Sequence, residues 1–94
     1  MTEAAKVLVI DDDDLILKTL GNVLGRQGYF YRLAEDAAAA LKYVSEIEFD
    51  MILADIRMPA MNGVDAVKKI QEDRLRQNKR EIPIIFINSC MISQ

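Results

Sequence analysis

The sequence predicts an open α/β fold, in which a parallel sheet carries helices on both faces. Short apolar runs such as Val7-Leu8-Val9-Ile10 show no alternation of polar and apolar residues, which is typical of strands buried on both faces. Segments with apolar residues at helical spacing separate these runs, so that strand and helix alternate along the chain. Such alternation is typical of parallel strands that are connected by helical crossovers.

Four strands and three helices are predicted in this alternation. The predicted strands are residues 7–10, 29–34, 50–54 and 82–87. The first helix is placed by Leu17, Leu20 and Leu24, and it stops at Gly28 although Gly21 lies inside it. The second helix is the Ala-rich segment 37–45, with Glu35-Asp36 as its N-cap, and the third carries Val64, Val67 and Ile70. The polar stretch 72–81 is interpreted as a solvated helix end and linker.

Composition limits the function classes. The chain has 94 residues, and its 12 Lys and Arg against 15 Asp and Glu give a formal net charge of −3, so we expect one domain over residues 1–94 and no nucleic-acid surface. With no histidine and one cysteine, Cys90, the chain cannot form an internal disulfide, a Ser/His/Asp triad or a histidine-ligated metal site. No apolar run approaches the ~20 residues that span a bilayer, and no signal segment is evident, so we expect a cytoplasmic location without membrane attachment.

Polar residues follow three of the predicted strands. Asp11-Asp12 follow the first strand, Asp55 the third and Asn88 the fourth. The carboxyl ends of parallel strands lie at one edge of a sheet, which is where open α/β folds place their binding crevice. If the first and third strands are neighbours, three carboxylates meet there, and either proton uptake or a hard divalent cation such as Mg²⁺ must relieve their repulsion. We favour the cation.

A purely structural explanation remains open for these acidic residues. Asp13 or Asp14 can cap the first helix, Asp11 and Asp12 can simply end the strand, and Asp55 can begin a turn. This explanation suits the two capping candidates. It gives no reason for acidic ends to coincide on two buried strands.

The chain resembles the receiver domains of two-component response regulators. The apolar strand followed by Asp-Asp-Asp at residues 11–13 is similar to the acidic pocket of that family. The run from Asp55 to Gly63 fits the family pattern D-x-x-M-P-x-M-x-G at every specified position. In this run Pro59 stiffens the loop and Gly63 permits a conformation that other residues adopt only at a cost.

The resemblance implies a flavodoxin-like, doubly wound fold and a role for each matching residue. Asp55 corresponds to the residue that accepts a phosphoryl group from a sensor histidine kinase or a phosphotransfer protein. Asp12 corresponds to a direct Mg²⁺ ligand and Asp11 to a ligand through water, while Asp55 and the backbone carbonyl of Arg57 complete the protein ligands. The chain is accordingly expected to be a signalling domain and not an enzyme.

The resemblance fails near the carboxyl terminus. Asn88 stands where the family has a Ser or Thr that binds the phosphoryl group, and Ser89 follows one position later. The family continues with two further helices and a fifth strand that bears a lysine, for which this sequence has no room, and residues 89–94 match no family pattern. We therefore expect an incomplete receiver that self-associates through the exposed edge of its fourth strand.

Two alternatives are kept. The first is an interaction module that works without phosphorylation. The second is a Mg²⁺-dependent phosphohydrolase of the haloacid dehalogenase type with Asp11 as nucleophile, because residues 11–13 formally satisfy its D-x-D pattern. Leu15 stands where that pattern requires Thr or Val, and neither a cap domain nor a catalytic lysine is evident.

Overall fold

Four parallel strands alternate with three helices in the computed structural model, which describes residues 4–55 and 63–87. The elements are β1 (Lys6–Ile10), α1 (Asp14–Arg26), β2 (Phe30–Ala34), α2 (Ala37–Glu46), β3 (Met51–Asp55), α3 (Gly63–Arg76) and β4 (Ile84–Ile87). The strands form one sheet in the order β2-β1-β3-β4, and every neighbouring pair is parallel. The predicted open α/β fold is therefore confirmed, including the adjacency of the first and third strands.

Strand β1 forms the centre of the core because its apolar residues are buried on both faces of the sheet. Val7 and Val9 pack with α1 on one face. Leu8 and Ile10 lie on the other face, in the cluster that α2 and α3 help to cover. The helices thus lie on both sides of the sheet, as the absence of alternation in this strand predicted.

Helix α1 begins after Asp13, which is the N-cap that the sequence left open between two aspartates. The Asp13 carboxylate accepts hydrogen bonds from the backbone N–H groups of Leu15 and Ile16, at 2.9 and 3.4 Å. The glycine inside this helix is explained by packing. A Cβ on Gly21 would lie only 3.0 Å from Cε2 of Tyr31, so the absence of a side chain lets the aromatic ring of β2 approach the helix closely.

Helix α3 contains the main difference from the predicted elements. The stretch 72–81 was expected to be solvated, and this is wrong for Arg74, which is 5% exposed. Its Nε donates to the backbone carbonyl of Arg80 at 2.6 Å, and its two terminal nitrogens donate to the Glu48 carboxylate at 2.9 and 3.2 Å. One turn earlier, the Gln71 side-chain amide exchanges two hydrogen bonds with the backbone of Ile82. The end of α3 therefore holds the segment that leads into the last strand.

Strand β4 starts at Ile84, two residues later than predicted, and lies at one end of the sheet. Within residues 4–55 and 63–87, its outer edge pairs with no further strand. Ile85 and Phe86, on opposite faces of the sheet, are 51% and 44% exposed. Self-association through this edge stays a prediction. Among the described helices, none is both long and apolar enough to cross a membrane.

Candidate functional site

The carboxyl ends of β1 and β3 bring three aspartates together. Ile10 and Ala54 are neighbours in the register of the two strands, and each is followed directly by an aspartate, Asp11 or Asp55. Asp12 follows on the loop to α1. Carboxylate oxygens of these three residues lie within 4.8 Å of one another, a separation that a single cation could bridge. The predicted convergence of the three carboxylates is thus present in the structure.

Hydrogen bonds fix both the backbone and the side chain of Asp11. Its N–H continues the pairing of β1 with β2 by donating to the carbonyl of Ala34 at 3.0 Å. Its Oδ1 accepts a hydrogen bond from the N–H of Asp13 at 2.9 Å, an Asx turn that bends the chain from the strand toward the helix. The second oxygen, Oδ2, is buried and accepts no hydrogen bond from the described residues. A buried carboxylate oxygen without a donor is costly, and a cation would satisfy it.

The electrostatics of the site follow from this burial. The pKa of Asp11 is raised from 3.8 to about 6, chiefly by burial and also by the negative charge of Asp55, although the hydrogen bond from the Asp13 N–H acts in the opposite direction. At neutral pH the metal-free site therefore holds carboxylates at an energetic cost. A divalent cation would relieve this cost more completely than a proton, because it interacts with all three carboxylates.

The three aspartates differ in exposure. Asp11 and Asp55 are buried, whereas Asp12 is exposed. Asp55 ends β3 and lies in register with Ile87 of β4, so that three strands end around the site. Among the other predicted site residues, Gly63 is the first residue of α3, and its effect on the loop stays a prediction. The remaining predicted positions, Arg57, Pro59, Asn88 and Ser89, lie outside the described residues.

Two interactions of the folded chain were not predicted from its sequence. The Asx turn from Asp11 to Asp13 was missed, although an Asp that directly follows a strand is a usual signal for one, because its carboxylate can accept from the backbone N–H two residues later. The burial of Arg74 was also missed. It lies four residues after the buried Ile70 and seven after the buried Val67, a helical spacing that places all three on one face of α3.

A concave surface lies at the amino ends of the strands, away from the three aspartates. A cavity of about 690 Å³ is lined by Glu48, Asp50, Arg74, Lys79 and Pro83, among others. Three of its charged groups are engaged with one another, since Arg74 binds Glu48 and the ammonium of Lys79 lies 3.7 Å from the same carboxylate. This end of the molecule is therefore best explained as structural.

Comparison with known proteins identifies what the chain is similar to. The sequence model for "Response regulator receiver domain" matches residues 7–90. The DNA-binding transcriptional regulator NtrC of Bradyrhizobium sp. (strain RP501 Parasponia) is 35% identical over 86 residues, which are 92% of this chain and 17% of that protein. The regulatory protein AtoC of Escherichia coli is 30% identical over 89 residues, 95% of this chain and 18% of that protein. The chain thus spans less than a fifth of these two relatives.

Solved structures agree with the sequence matches. The chemotaxis protein CheY4 of Vibrio cholerae has a TM-score of 0.80 and 32% identity, covering 89% of this chain and 68% of that chain. The receiver domain of Saccharomyces cerevisiae Ssk1, solved with the histidine phosphotransfer signalling protein Ypd1, has a TM-score of 0.73. It covers 94% of this chain and 64% of that chain, and its 22% identity shows similarity of fold alone.

Proposed function

Because this chain belongs to the response regulator receiver domain family, we propose that it accepts a phosphoryl group on Asp55 in a two-component signalling system. The observation that carries the proposal is the convergence of the Asp11, Asp12 and Asp55 carboxylates within 4.8 Å at the carboxyl edge of the sheet. Three carboxylates that would hold a divalent cation suit phosphoryl transfer, in which charge on the phosphoryl oxygens must be neutralised.

The donor atoms present fit Mg²⁺. They are carboxylate oxygens, which hard cations prefer. The buried Oδ2 of Asp11 accepts no hydrogen bond from the described residues, so it can serve as a ligand. Asp11, Asp12 and Asp55 would hold the ion together with the carbonyl of Arg57, which the family resemblance adds. When bound, the ion supplies positive charge to the phosphoryl oxygens.

In the proposed transfer, a carboxylate oxygen of Asp55 attacks phosphorus in line with the bond that breaks. With a phosphohistidine donor this is the P–N bond, whose electron pair stays on the imidazole nitrogen, and that nitrogen then takes a proton from solvent. The product is an acyl phosphate on Asp55. The contribution of Asp11 is different: its Oδ1 is engaged by the N–H of Asp13, which fixes the carboxylate beside Asp55.

The proposed partners are a sensor histidine kinase or a histidine phosphotransfer protein, acting in the cytoplasm. We propose a switch domain without catalytic turnover of a substrate. The match to the receiver family favours this function over the dehalogenase-type hydrolase. A phosphorylation-independent interaction module is the remaining candidate, because the predicted switch position carries Asn88 in place of a Ser or Thr.

Phosphorylation by a small phosphodonor tests the proposal. We expect one labile phosphoryl adduct on the chain in Mg²⁺, detected by intact mass, and its loss in EDTA and in Asp55→Asn. The matched control is Asp65→Asn, which removes an exposed carboxylate from the first turn of α3 and should leave the adduct unchanged. Circular dichroism verifies that each variant is folded.

The outcomes separate the candidates. An adduct that persists in Asp55→Asn but disappears in Asp11→Asn supports the hydrolase assignment and overturns ours. No adduct on a folded, Mg²⁺-binding wild-type chain supports the interaction module.

A further inference from the structure

The outer edge of strand β2 has backbone groups that point away from the sheet. β2 lies at one end of the strand order, and in the part of the chain that the structure describes no strand pairs with its outer side. The N–H of Phe30 donates to the carbonyl of Ala5 at 3.0 Å, so Phe30 directs its backbone toward β1. Alternation along the strand therefore directs the N–H and carbonyl groups of Tyr31 and Leu33 away from β1.

The outward carbonyl of Tyr31 is occupied by a side chain of its own strand. A terminal nitrogen of the Arg32 guanidinium donates to this carbonyl at 2.9 Å. The guanidinium carbon also lies 4.3 Å from the centre of the Phe30 ring, a cation–π contact between side chains on the same face of the sheet. The ring thus holds the guanidinium beside the edge. There the guanidinium competes with the backbone N–H of any strand that is added to β2.

Arg32 also lies where two copies of the strand would meet. If two β2 edges pair antiparallel about a two-fold axis at Arg32, Tyr31 of each copy exchanges backbone hydrogen bonds with Leu33 of the other. The two Arg32 residues then form the non-hydrogen-bonded pair on the axis, where side chains are closest. Pairing would bring two positive charges together and remove each guanidinium from its carbonyl.

The rest of the strand favours pairing. The sequence of β2 is Phe-Tyr-Arg-Leu-Ala, so Arg32 is the one charged residue among five that are otherwise aromatic or apolar. Aromatic residues are enriched in strands, and an uncharged edge of this kind is prone to pair with another chain. The charge at the centre of the strand is therefore the feature that distinguishes this edge from an adhesive one.

We propose that Arg32 caps the β2 edge and keeps copies of this chain from pairing through their β2 strands. Its guanidinium occupies the Tyr31 carbonyl, and its charge repels the same residue of a second copy. The cap consists of three consecutive residues, 30–32, and its contacts are formed within one strand. It is therefore present in every folded copy.

The mass of the full 94-residue chain in solution is the first test. Arg32→Met keeps the aliphatic stem but removes the charge and the donor, so sedimentation at tens of micromolar protein should give about twice the wild-type mass or more. Arg32→Thr is a second variant, with high β-propensity and a side chain too short to reach the carbonyl. The control is Arg26→Met, which removes the same charge from an exposed position in the last turn of α1 and should keep the wild-type mass.

Cross-linking shows whether the new association uses β2. With Cys90 replaced by serine, Arg32→Cys should form a disulfide-linked dimer on mild oxidation, because the two residues 32 face each other on the axis. The matched control carries Arg32→Met and Tyr29→Cys in the same background. It should associate but not cross-link, since residue 29 lies opposite residue 35 in this register and the two thiols are about 20 Å apart.

Three results would overturn the proposal. The first is that Arg32→Met or Arg32→Thr, shown by circular dichroism to be folded, keeps the wild-type mass. The second is that Arg26→Met gains mass to the same extent, in which case net charge alone controls association. The third is that thiols at position 29 cross-link as readily as those at position 32, which places the contact elsewhere.

Discussion

The pKa values of carboxyl groups are shifted in opposite directions at the two ends of the strands, here called the carboxyl edge and the amino edge. At the carboxyl edge, Asp11 is buried beside Asp55, and its pKa is raised to about 6 by burial and by the neighbouring negative charge. At the amino edge, the guanidinium of Arg74 beside Glu48 holds the pKa of that carboxyl below its ordinary value, although burial acts in the other direction. The same functional group is thus destabilised as an anion at one end and stabilised at the other.

This contrast separates a candidate binding site from a structural contact. The amino edge satisfies its charges internally, because one buried arginine joins the segment before β3 to the segment before β4. The carboxyl edge leaves a buried oxygen of Asp11 without a donor among the described residues. Carboxylates that are not satisfied by the fold are available to a cation from solvent, and perturbed pKa values in a cleft are typical of functional sites. Stability and function are therefore assigned to opposite ends of β1 and β3.

The largest effect on stability is expected at the amino edge. Arg74→Met keeps the aliphatic stem but removes the donors to Glu48 and to the Arg80 carbonyl, which should lower the free energy of unfolding by about 2–3 kcal/mol. Urea denaturation at pH 7 measures the loss. Arg76→Met is the control, since Arg76 makes an exposed ion pair with Asp73 and should change stability by less than about 0.5 kcal/mol. Equal losses in the two variants would contradict the structural assignment of Arg74.

An effect of opposite sign is expected at the carboxyl edge. Asp11→Asn removes a buried charge and should stabilise the metal-free chain at pH 8 by about 1–2 kcal/mol. The raised pKa fixes the pH dependence. The stability that the Asp11 carboxyl contributes is fully present below its ordinary pKa of 3.8 and is lost as the pH rises through about 6. The gain from the substitution should therefore disappear as the pH is lowered toward 4.

Magnesium provides the control for this second prediction. Mg²⁺ should stabilise the wild-type chain against urea at pH 8, because it binds the folded state, and Asp11→Asn should lose most of that stabilisation. Asp65→Asn should respond to the ion as the wild type does, since its carboxylate is exposed on α3. If Asp11→Asn destabilises the metal-free chain at pH 8, the cost that we assign to the buried carboxylate does not exist.

The contacts that could be predicted from the sequence are those between residues close together along the chain or at the ends of neighbouring strands. The acidic end could be predicted, because parallel strands deliver their carboxyl ends to one edge, so that the ends of two buried strands suffice to bring Asp11 and Asp55 together. The caps of α1 and α2 were likewise predictable from local residue type. The predicted roles of Arg57 and Asn88 lie outside the described residues and stay predictions.

The amino end could not be predicted in the same way. Arg74 lies in a polar stretch, and its burial depends on a carboxylate 26 positions earlier and a carbonyl six positions later. The position of the segment before β4 also depends on a long-range contact, since the side-chain amide of Gln71 exchanges two hydrogen bonds with the backbone of Ile82. Periodicity places Arg74 on the same face of α3 as Val67 and Ile70, but it carries no information on the distant groups with which the guanidinium pairs. Gly21 is similar, because the ring that excludes a side chain there belongs to another element, β2.

The smallest change in stability is expected for Glu48→Gln, at the same contact of the amino edge that Arg74→Met removes. Glu48 is the exposed partner of Arg74, with 60% of its side chain accessible, so Glu48→Gln should lower the free energy of unfolding by only a few tenths of a kcal/mol. The lowered pKa means that this contribution is present above the ordinary pKa of 4.5 and is lost as the pH falls below it. Urea denaturation at pH 7 and pH 3.5 should therefore show a difference from the wild type that is smaller at the lower pH. The inequality between Arg74→Met and Glu48→Gln is the informative result. If the two losses were equal, the ion pair would account for the whole contact, and the hydrogen bond from Arg74 to the Arg80 carbonyl would contribute nothing to holding the segment before β4.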